Sequence, residues 1–285
     1  MLEMLLSPRK AERKPWEMLL VGIFYASLSF LLVTWIFGQD AVLSKSSGIL
    51  IITFTVMFTM PFMYYLIKNE EERDLKTDGS WNMLKEHRKA IVSLMFLFFG
   101  FIIGFSIWYM VFNTGVGFNA QIETYCSINS PSNFDSCVAK NSLGGGSVTG
   151  AVTSGERFLI ILENNIYVLI FTLVFSLIFG AGAIFVLAWN ASVIAVAVGI
   201  FSKMDITQIP LALLRYMVHG SLEIGGYFIG ALAGGIISIA VIRHDTKSEK
   251  FWDVVQDSID LIILAVVLLV VGAFVEVFVT PAIFS

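Results

Sequence analysis

The strongest constraint in this sequence is a stretch of 86 residues, 157–242, that is apolar almost without interruption. As one α-helix this stretch would extend roughly 130 Å, at a rise of 1.5 Å per residue. The hydrocarbon core of a bilayer is about 30 Å thick and is crossed by about 20 apolar residues. The stretch is therefore expected to fold back on itself and to cross a membrane more than once.

Four further apolar runs each have the length of a single membrane crossing, namely 18–37, 48–67, 91–112 and 259–279. Hydrophobic residues make up 57% of the chain and charged residues only 14%. A soluble domain has about 25% charged residues, so the surface of a soluble protein of this composition would be largely apolar. The sequence predicts an all-α, polytopic membrane protein that lies in a lipid bilayer.

The distribution of Lys and Arg indicates which segments face the cytoplasm. Thirteen of the 18 basic residues lie in three segments: 9–14, 68–90 and 243–250. The segments 38–47 and 113–156 contain one lysine each, Lys45 and Lys140. We therefore place the three basic segments and the N-terminus in the cytoplasm. The two segments with one lysine each, and the C-terminus, are placed outside. The first run follows basic residues without a small-residue cleavage site, so it is interpreted as a retained span rather than a signal peptide.

Orientation also constrains the long apolar stretch, because it begins outside and must reach the basic segment 243–250 inside. That requires an odd number of crossings, and three fit the length. We place them at 160–181, 184–202 and 222–242, with turns at 180–182 and 203–208. Residues 209–219 are interpreted as a separate short helix that ends at Gly220, with Ser221 as the next N-cap. The chain then has about seven spans, with broken or re-entrant helices; a single crossing with re-entrant segments is the alternative.

Both cysteines, Cys126 and Cys137, lie in the loop 113–156 that we place outside. Two cysteines in an oxidising compartment are expected to pair, and this bridge would close a loop of about a dozen residues. The alternative is two free thiols. The rest of the loop, which includes the glycines at 144–146, is rich in Ser and Asn and is interpreted as irregular.

Several polar residues lie inside the apolar runs, where a charged side chain costs about 2.5–3.5 kcal/mol on insertion scales. The candidates for a ligand- or ion-binding site are Glu163, Asn164, Asn165, Asn190, Arg215, His219, Glu223 and Glu276. The topology places Glu163, Glu223 and Glu276 in the outer half of the membrane, which predicts a polar cluster open to the extracytoplasmic face. In the alternative interpretation these residues only satisfy one another, with Arg215 neutralising a glutamate.

The same residues do not form a pattern that is typical of an enzyme. His219 and Glu223 have the i, i+4 spacing of two metal ligands, but a catalytic zinc site needs a third ligand and usually a base. The net charge of -4 is unlike that of a nucleic-acid-binding protein. We therefore expect no catalytic residue, no metal site, no cofactor and no nucleic-acid partner.

Glycines recur at a spacing of four in the run 222–242, as Gly226-x-x-x-Gly230-x-x-x-Gly234. This spacing allows the backbones of two membrane helices to approach closely. Gly100 and Gly104 repeat it in the third run. We expect packing within the chain, and packing against a second copy is the alternative.

Taken together, these residues resemble the stage II sporulation protein M family. The elements that carry the resemblance are Glu163-Asn164-Asn165, Gly180 and Gly182 before Asn190, His219-Gly220-Ser221-Leu222-Glu223, and Glu276-Val277-Phe278-Val279-Thr280-Pro281. The resemblance covers 91–285 and implies a membrane core of about five spans. Residues 1–90 would then add an N-terminal hairpin and a cytoplasmic connector.

The resemblance also implies a function. In endospore-forming bacteria the protein that gives the family its name acts in a membrane complex with peptidoglycan-degrading partners, as a subunit or organiser and not as the hydrolase. We therefore expect a non-enzymatic subunit of a membrane complex, with membrane-protein or extracytoplasmic partners or a second copy of itself. The alternative function is a channel or transporter for an ion or small solute, lined by Glu163, His219, Glu223 and Glu276.

Overall fold

The computed structural model describes residues 13–40, 42–74, 80–112, 117–129, 133–142, 154–179, 183–202, 205–243 and 249–283. These residues are almost entirely helical and contain no β-strand. The α-helices are α1 (Glu17–Phe37), α2 (Ser47–Asp74), α3 (Ser80–Phe112), α4 (Asn119–Asn129), α5 (Phe134–Ser142), α6 (Ser154–Phe179), α7 (Ala183–Phe201), α8 (Ile209–Arg243), α9 (Glu249–Phe274) and α10 (Thr280–Ile283). A five-residue π-helix, Val275–Val279, joins α9 to α10.

Seven of the described helices are long and apolar enough to cross a membrane: α1, α2, α3, α6, α7, α8 and the combined segment from α9 to α10. This confirms the prediction of an all-α membrane protein with about seven spans. Consecutive spans run in opposite directions. The ends of α1 and α3 and the beginning of α6 therefore lie on the same side of the bundle as α4 and α5. This side is called the capped end below.

The N-terminal hairpin packs directly on the helix that follows it. A methyl group added at Gly100 of α3 would lie 2.8 Å from the Cα atom of Gly22 in α1. One turn further along, a methyl group at Gly104 would lie 2.8 Å from the Cβ atom of Ala26. The backbones of α1 and α3 therefore touch, which is the close approach that small residues allow in membranes.

The separate short helix predicted at 209–219 is wrong, because α8 is continuous from Ile209 to Arg243. Gly220 and Ser221 lie in its interior and do not cap helix ends. A glycine inside a helix costs only about 1 kcal/mol relative to alanine. Each unsatisfied backbone group in the hydrocarbon region costs several kcal/mol, so an unbroken helix is favoured there. Pro210 lies in the first turn, where its missing N–H donor is tolerated.

The last span stays helical to Ile283 but changes from an α-helix to a π-helix over Val275–Val279. Pro281 has no N–H group, and its ring would clash with the carbonyl of residue 277 in a regular α-helix. The wider turn accommodates the proline, and the hydroxyl of Thr280 donates to the carbonyl oxygen of Val275 over 3.1 Å. A π-turn inside a helix is often found at a functional site.

The segment 113–156, which was predicted to be an irregular loop, contains α4 and α5. Cys126 and Cys137 join these two helices, with 2.02 Å between their sulfur atoms, so the predicted disulfide is present. Asn141 Nδ2 donates to the carbonyl oxygen of Cys137 over 2.9 Å. Gln121 Nε2 donates to the carbonyl oxygen of Gly48 over 3.1 Å, which fixes α4 to the start of α2.

The segment between α7 and α8 was predicted as a turn at 203–208. Residues 203 and 204 lie outside the described residues, as do the predicted turn at 180–182 and the glycines at 144–146. The Asp205 carboxylate accepts hydrogen bonds from the hydroxyl and the backbone N–H of Thr207, at 2.7 and 2.9 Å. Both bonds favour the charged form and lower the pKa of Asp205. This contact therefore persists when the pH falls below the ordinary pKa of an aspartate.

Replacing both cysteines by serine is expected to release α5 from α4. In the chain-entropy model a loop of about a dozen residues contributes about 2–3 kcal/mol through its disulfide. Hydrogen exchange should therefore accelerate in α5 and stay unchanged in α8, which does not depend on the bridge. Equal protection of α5 from hydrogen exchange in the wild type and in the variant would show that its other contacts hold it in place without the disulfide.

Candidate functional site

Polar side chains of α6 and α8 hydrogen-bond one another inside the bundle. Asn165 Nδ2 donates to Glu223 Oε1 over 2.8 Å. The hydroxyl of Tyr227 donates to Asn165 Oδ1 over 2.7 Å. The three residues are called the Asn165 network below. In it the single amide of Asn165 joins a carboxylate and a phenol, so both ends of the amide are satisfied.

The helices position these side chains in a simple way. Glu223 and Tyr227 are four residues apart on α8 and therefore share one face. Asn165 faces them from α6, where it is 5% exposed. Gly272 of α9 makes room for the glutamate, since a methyl group at Gly272 would lie 2.7 Å from Glu223 Cγ. Three helices thus meet at the carboxylate of Glu223.

A second polar contact joins α8 to the π-helix segment. His219 Nδ1 lies 3.2 Å from the hydroxyl oxygen of Thr280. The Thr280 hydroxyl also lies 3.1 Å from the carbonyl oxygen of Val275, and when it donates there, the Nδ1–H tautomer of His219 donates to it. This contact ties the irregular turn around Glu276 to α8.

Further ionisable groups lie near these two contacts. Glu276 lies in the π-helix, close enough to Glu223 for the two carboxyl groups to interact electrostatically. Arg157, an exposed residue at the start of α6, is close enough to Glu276 to act on its charge. The structure therefore brings Asn165, His219, Glu223 and Glu276 of the predicted residues into one region.

Arg215 contacts an aromatic ring. Its guanidinium carbon lies 4.8 Å from the centre of the Phe201 ring, which is a cation–π contact between α8 and the end of α7. No carboxylate of the described residues lies within ion-pair distance of it. The alternative interpretation, in which Arg215 neutralises a glutamate, therefore has no such ion pair among the described residues.

Three other predicted residues are not part of the Asn165 network. Glu163 and Asn164 are exposed on the outer surface of α6. Asn190 Nδ2 donates to the carbonyl oxygen of Val186 in its own helix over 2.8 Å. Of the three consecutive residues 163–165, only the last faces the bundle interior.

The predicted glycines contact other helices of the same chain. A methyl group at Gly226 would lie 3.1 Å from the carbonyl oxygen of Ala265 in α9. At Gly234 it would lie 2.9 Å from Ser176 Cβ in α6, and Gly230 faces Leu169 of α6. These glycines let α6 and α9 approach α8 closely enough for the polar side chains to meet.

The sequence did not single out Tyr227, Gly272 or Arg157 for this region, and Thr280 entered only as part of a motif. Tyr227 follows Glu223 by four residues, a spacing that could have indicated that the two side chains share one face of a helix. Gly272 carries no such signal. Within the described ranges, no three His, Cys, Asp or Glu side chains lie together in a way that would hold a metal ion.

Replacing Tyr227 by phenylalanine is expected to destabilise the bundle by about 1 kcal/mol. The change leaves the buried Oδ1 atom of Asn165 without its donor, and a typical buried hydrogen bond contributes about that much. Tyr167, which is exposed on α6, provides the control, because the same substitution there removes no described hydrogen bond. Unfolding in detergent, followed by circular dichroism, compares the two variants. Equal stability of both would contradict the network.

The fold defines the class of the protein, which is a polytopic helical membrane protein. The model of the stage II sporulation protein M family matches residues 93–281, and the chain belongs to this family. The chain is also similar to an uncharacterized protein of Methanocaldococcus jannaschii, with 32% identity over 132 residues. That match covers 45% of this chain and 72% of the relative. No solved structure matches the chain.

Proposed function

We propose that the protein is a non-enzymatic subunit or organiser of a membrane complex. One observation carries this proposal: polar side chains of α6, α8 and the start of α10 hydrogen-bond one another. The amide of Asn165 bonds both Glu223 and Tyr227, and His219 bonds Thr280. Polar contacts of this kind hold membrane helices in one arrangement, which suits a scaffold for partners.

The orientation of the scaffold is part of the proposal. The basic segments 9–14, 68–90 and 243–250 support a cytoplasmic location for the end opposite the capped end. The capped end, with its disulfide between α4 and α5, would then face the outside, as would the polar cluster around Glu223. The N-terminus is cytoplasmic and the C-terminus extracytoplasmic in this arrangement. Partners outside the cell would meet α4 and α5 first.

The second candidate function is a channel or transporter. It is favoured by the proximity of two carboxyl groups, Glu223 and Glu276, inside an apolar bundle. Intramembrane carboxylates often mark ion or proton pathways. Two observations disfavour it: Glu163 is exposed on the outer surface, and Asn190 bonds its own helix, so neither extends a path from these carboxyl groups.

Ion and proton flux in proteoliposomes distinguishes the two functions. Wild-type protein and Glu223→Gln are compared, because glutamine keeps an acceptor oxygen for Asn165 and removes the ionisable carboxyl group. The subunit proposal predicts no flux above protein-free vesicles in either case. A wild-type flux that Glu223→Gln abolishes would make the channel the better proposal.

A further inference from the structure

Polar side chains lie on the outer surface of one membrane-spanning helix. α6 is the least buried of the seven candidate spans. One side of it, with Asn165, Leu169 and Thr172, is buried against the bundle. The adjacent residues Glu163 and Asn164 are exposed. A charge and an amide therefore face away from the rest of the chain.

These exposed side chains form a continuous surface along α6. They recur at spacings of three and four residues, which places them on one side of the helix. Its members, called the outer face of α6, are Ile160, Glu163, Asn164, Tyr167, Phe171 and Val174. The face is thus an apolar and aromatic strip with a single carboxylate near one end.

The position of Glu163 makes lipid an unfavourable neighbour. It lies six residues after Arg157, or about 9 Å from it along the helix axis. A charged side chain inside a bilayer costs at least about 2.5 kcal/mol, and such residues almost always face other protein groups. Glu163 has a short side chain, unlike the lysine and arginine that reach the interface from this depth.

Charge decides which occupant fits this face. A second copy related by a two-fold axis normal to the membrane would bring the two Glu163 carboxylates together. We propose instead that the outer face of α6 binds a transmembrane helix of a different protein, which carries a lysine or arginine at the depth of Glu163. The cation pairs with Glu163, Asn164 supplies a further hydrogen bond, and Tyr167 and Phe171 pack against the partner helix. This inference rests on the proposed role as a complex subunit and names the surface and the partner's chemistry.

The test uses the purified full-length protein in phosphatidylcholine vesicles and a synthetic transmembrane peptide. The peptide is polyleucine with one lysine six residues from its end, and a second peptide lacks the lysine. Energy transfer between donor-labelled protein and acceptor-labelled peptide measures association. Interhelical polar contacts in membranes predict roughly three- to thirty-fold tighter association of the lysine peptide.

A relocation variant provides the matched control. Leu31 is exposed on α1 and lies six residues before Phe37, where that candidate span ends. Glu163 lies six residues after Arg157, where its candidate span begins, so the two depths match. Glu163→Gln is expected to reduce binding of the lysine peptide to the level of the lysine-free peptide. The double variant Glu163→Leu with Leu31→Glu keeps an acid at the same depth on another helix. Binding as tight as in the wild type would show that any acid suffices and would overturn the proposal.

Two further outcomes would also overturn it. One is equal binding of both peptides to the wild type. The other is Glu163-dependent energy transfer between differently labelled copies of the protein, which would assign the face to a second copy. A negative result in this binding test would overturn the assignment of the outer face of α6 but not the proposed function. The proposed function depends on whether the native protein is found in a complex at all.

Discussion

Replacing Gly100 by alanine is expected to destabilise the protein by about 2–3 kcal/mol, which is at the upper end of the range for overpacking a core. The added methyl group would lie 2.8 Å from the Cα atom of Gly22. The obstacle is backbone on the facing helix, so no side chain can move aside to relieve the clash. α1 and α3 would have to separate along their whole contact.

Gly225 of α8 provides the control for this substitution. A methyl group there would meet no atom within 4 Å. Alanine also has a higher helix propensity than glycine, so Gly225→Ala should leave stability unchanged or raise it by up to about 1 kcal/mol. The two variants are compared by thermal unfolding in the same detergent. If Gly100→Ala unfolds at the wild-type temperature, the close packing of the N-terminal hairpin is wrong.

Replacing Glu223 by leucine is expected to destabilise the bundle by about 1–3 kcal/mol. The leucine leaves the buried Nδ2 group of Asn165 without its acceptor, and the cost is the desolvation of an unpaired donor. Glu223→Gln keeps an oxygen at this position and should recover most of the loss. The stability of the glutamine variant should therefore lie between those of the wild type and the leucine variant. This order of stabilities follows from hydrogen bonding and not from side-chain volume.

Glu163 provides a control of the same residue type. It is exposed on α6, so Glu163→Leu removes no contact inside the described bundle. The free energy of unfolding of the isolated protein should therefore change by less than about 0.5 kcal/mol. SDS-induced unfolding measured by circular dichroism gives both values. A larger loss for Glu163→Leu than for Glu223→Leu would reverse the assignment of interior and outer positions.

The sequence predicts the membrane spans well because their signal is additive over about 20 residues. It fails at Gly220, where a local helix-breaking preference of about 1 kcal/mol opposes the much larger cost of unpaired backbone groups in hydrocarbon. It also fails at 113–156, because short polar helices such as α4 have no apolar periodicity strong enough to reveal them. Their stability comes from the disulfide and from contacts such as Gln121 with Gly48.

The candidate site is only partly predictable for a geometric reason. Glu163, Asn164 and Asn165 are consecutive, and successive residues of a helix point about 100° apart. Only one of them faces the interior, and a helix that is apolar on all sides gives no indication of which one. Gly272 is equally hidden, because its role depends on Glu223 lying opposite it on another helix. Such positions follow from packing between helices and not from the pattern along one.

The composition of the native assembly tests the central claim most directly. The protein, tagged at its own locus, is extracted from its source membranes in a mild detergent and weighed intact by native mass spectrometry. The account predicts a particle heavier than the 31.6 kDa chain that contains at least one different membrane protein in fixed stoichiometry. A particle that contains only this chain, in one copy or several, would contradict the proposal that it is a subunit of a membrane complex with other proteins.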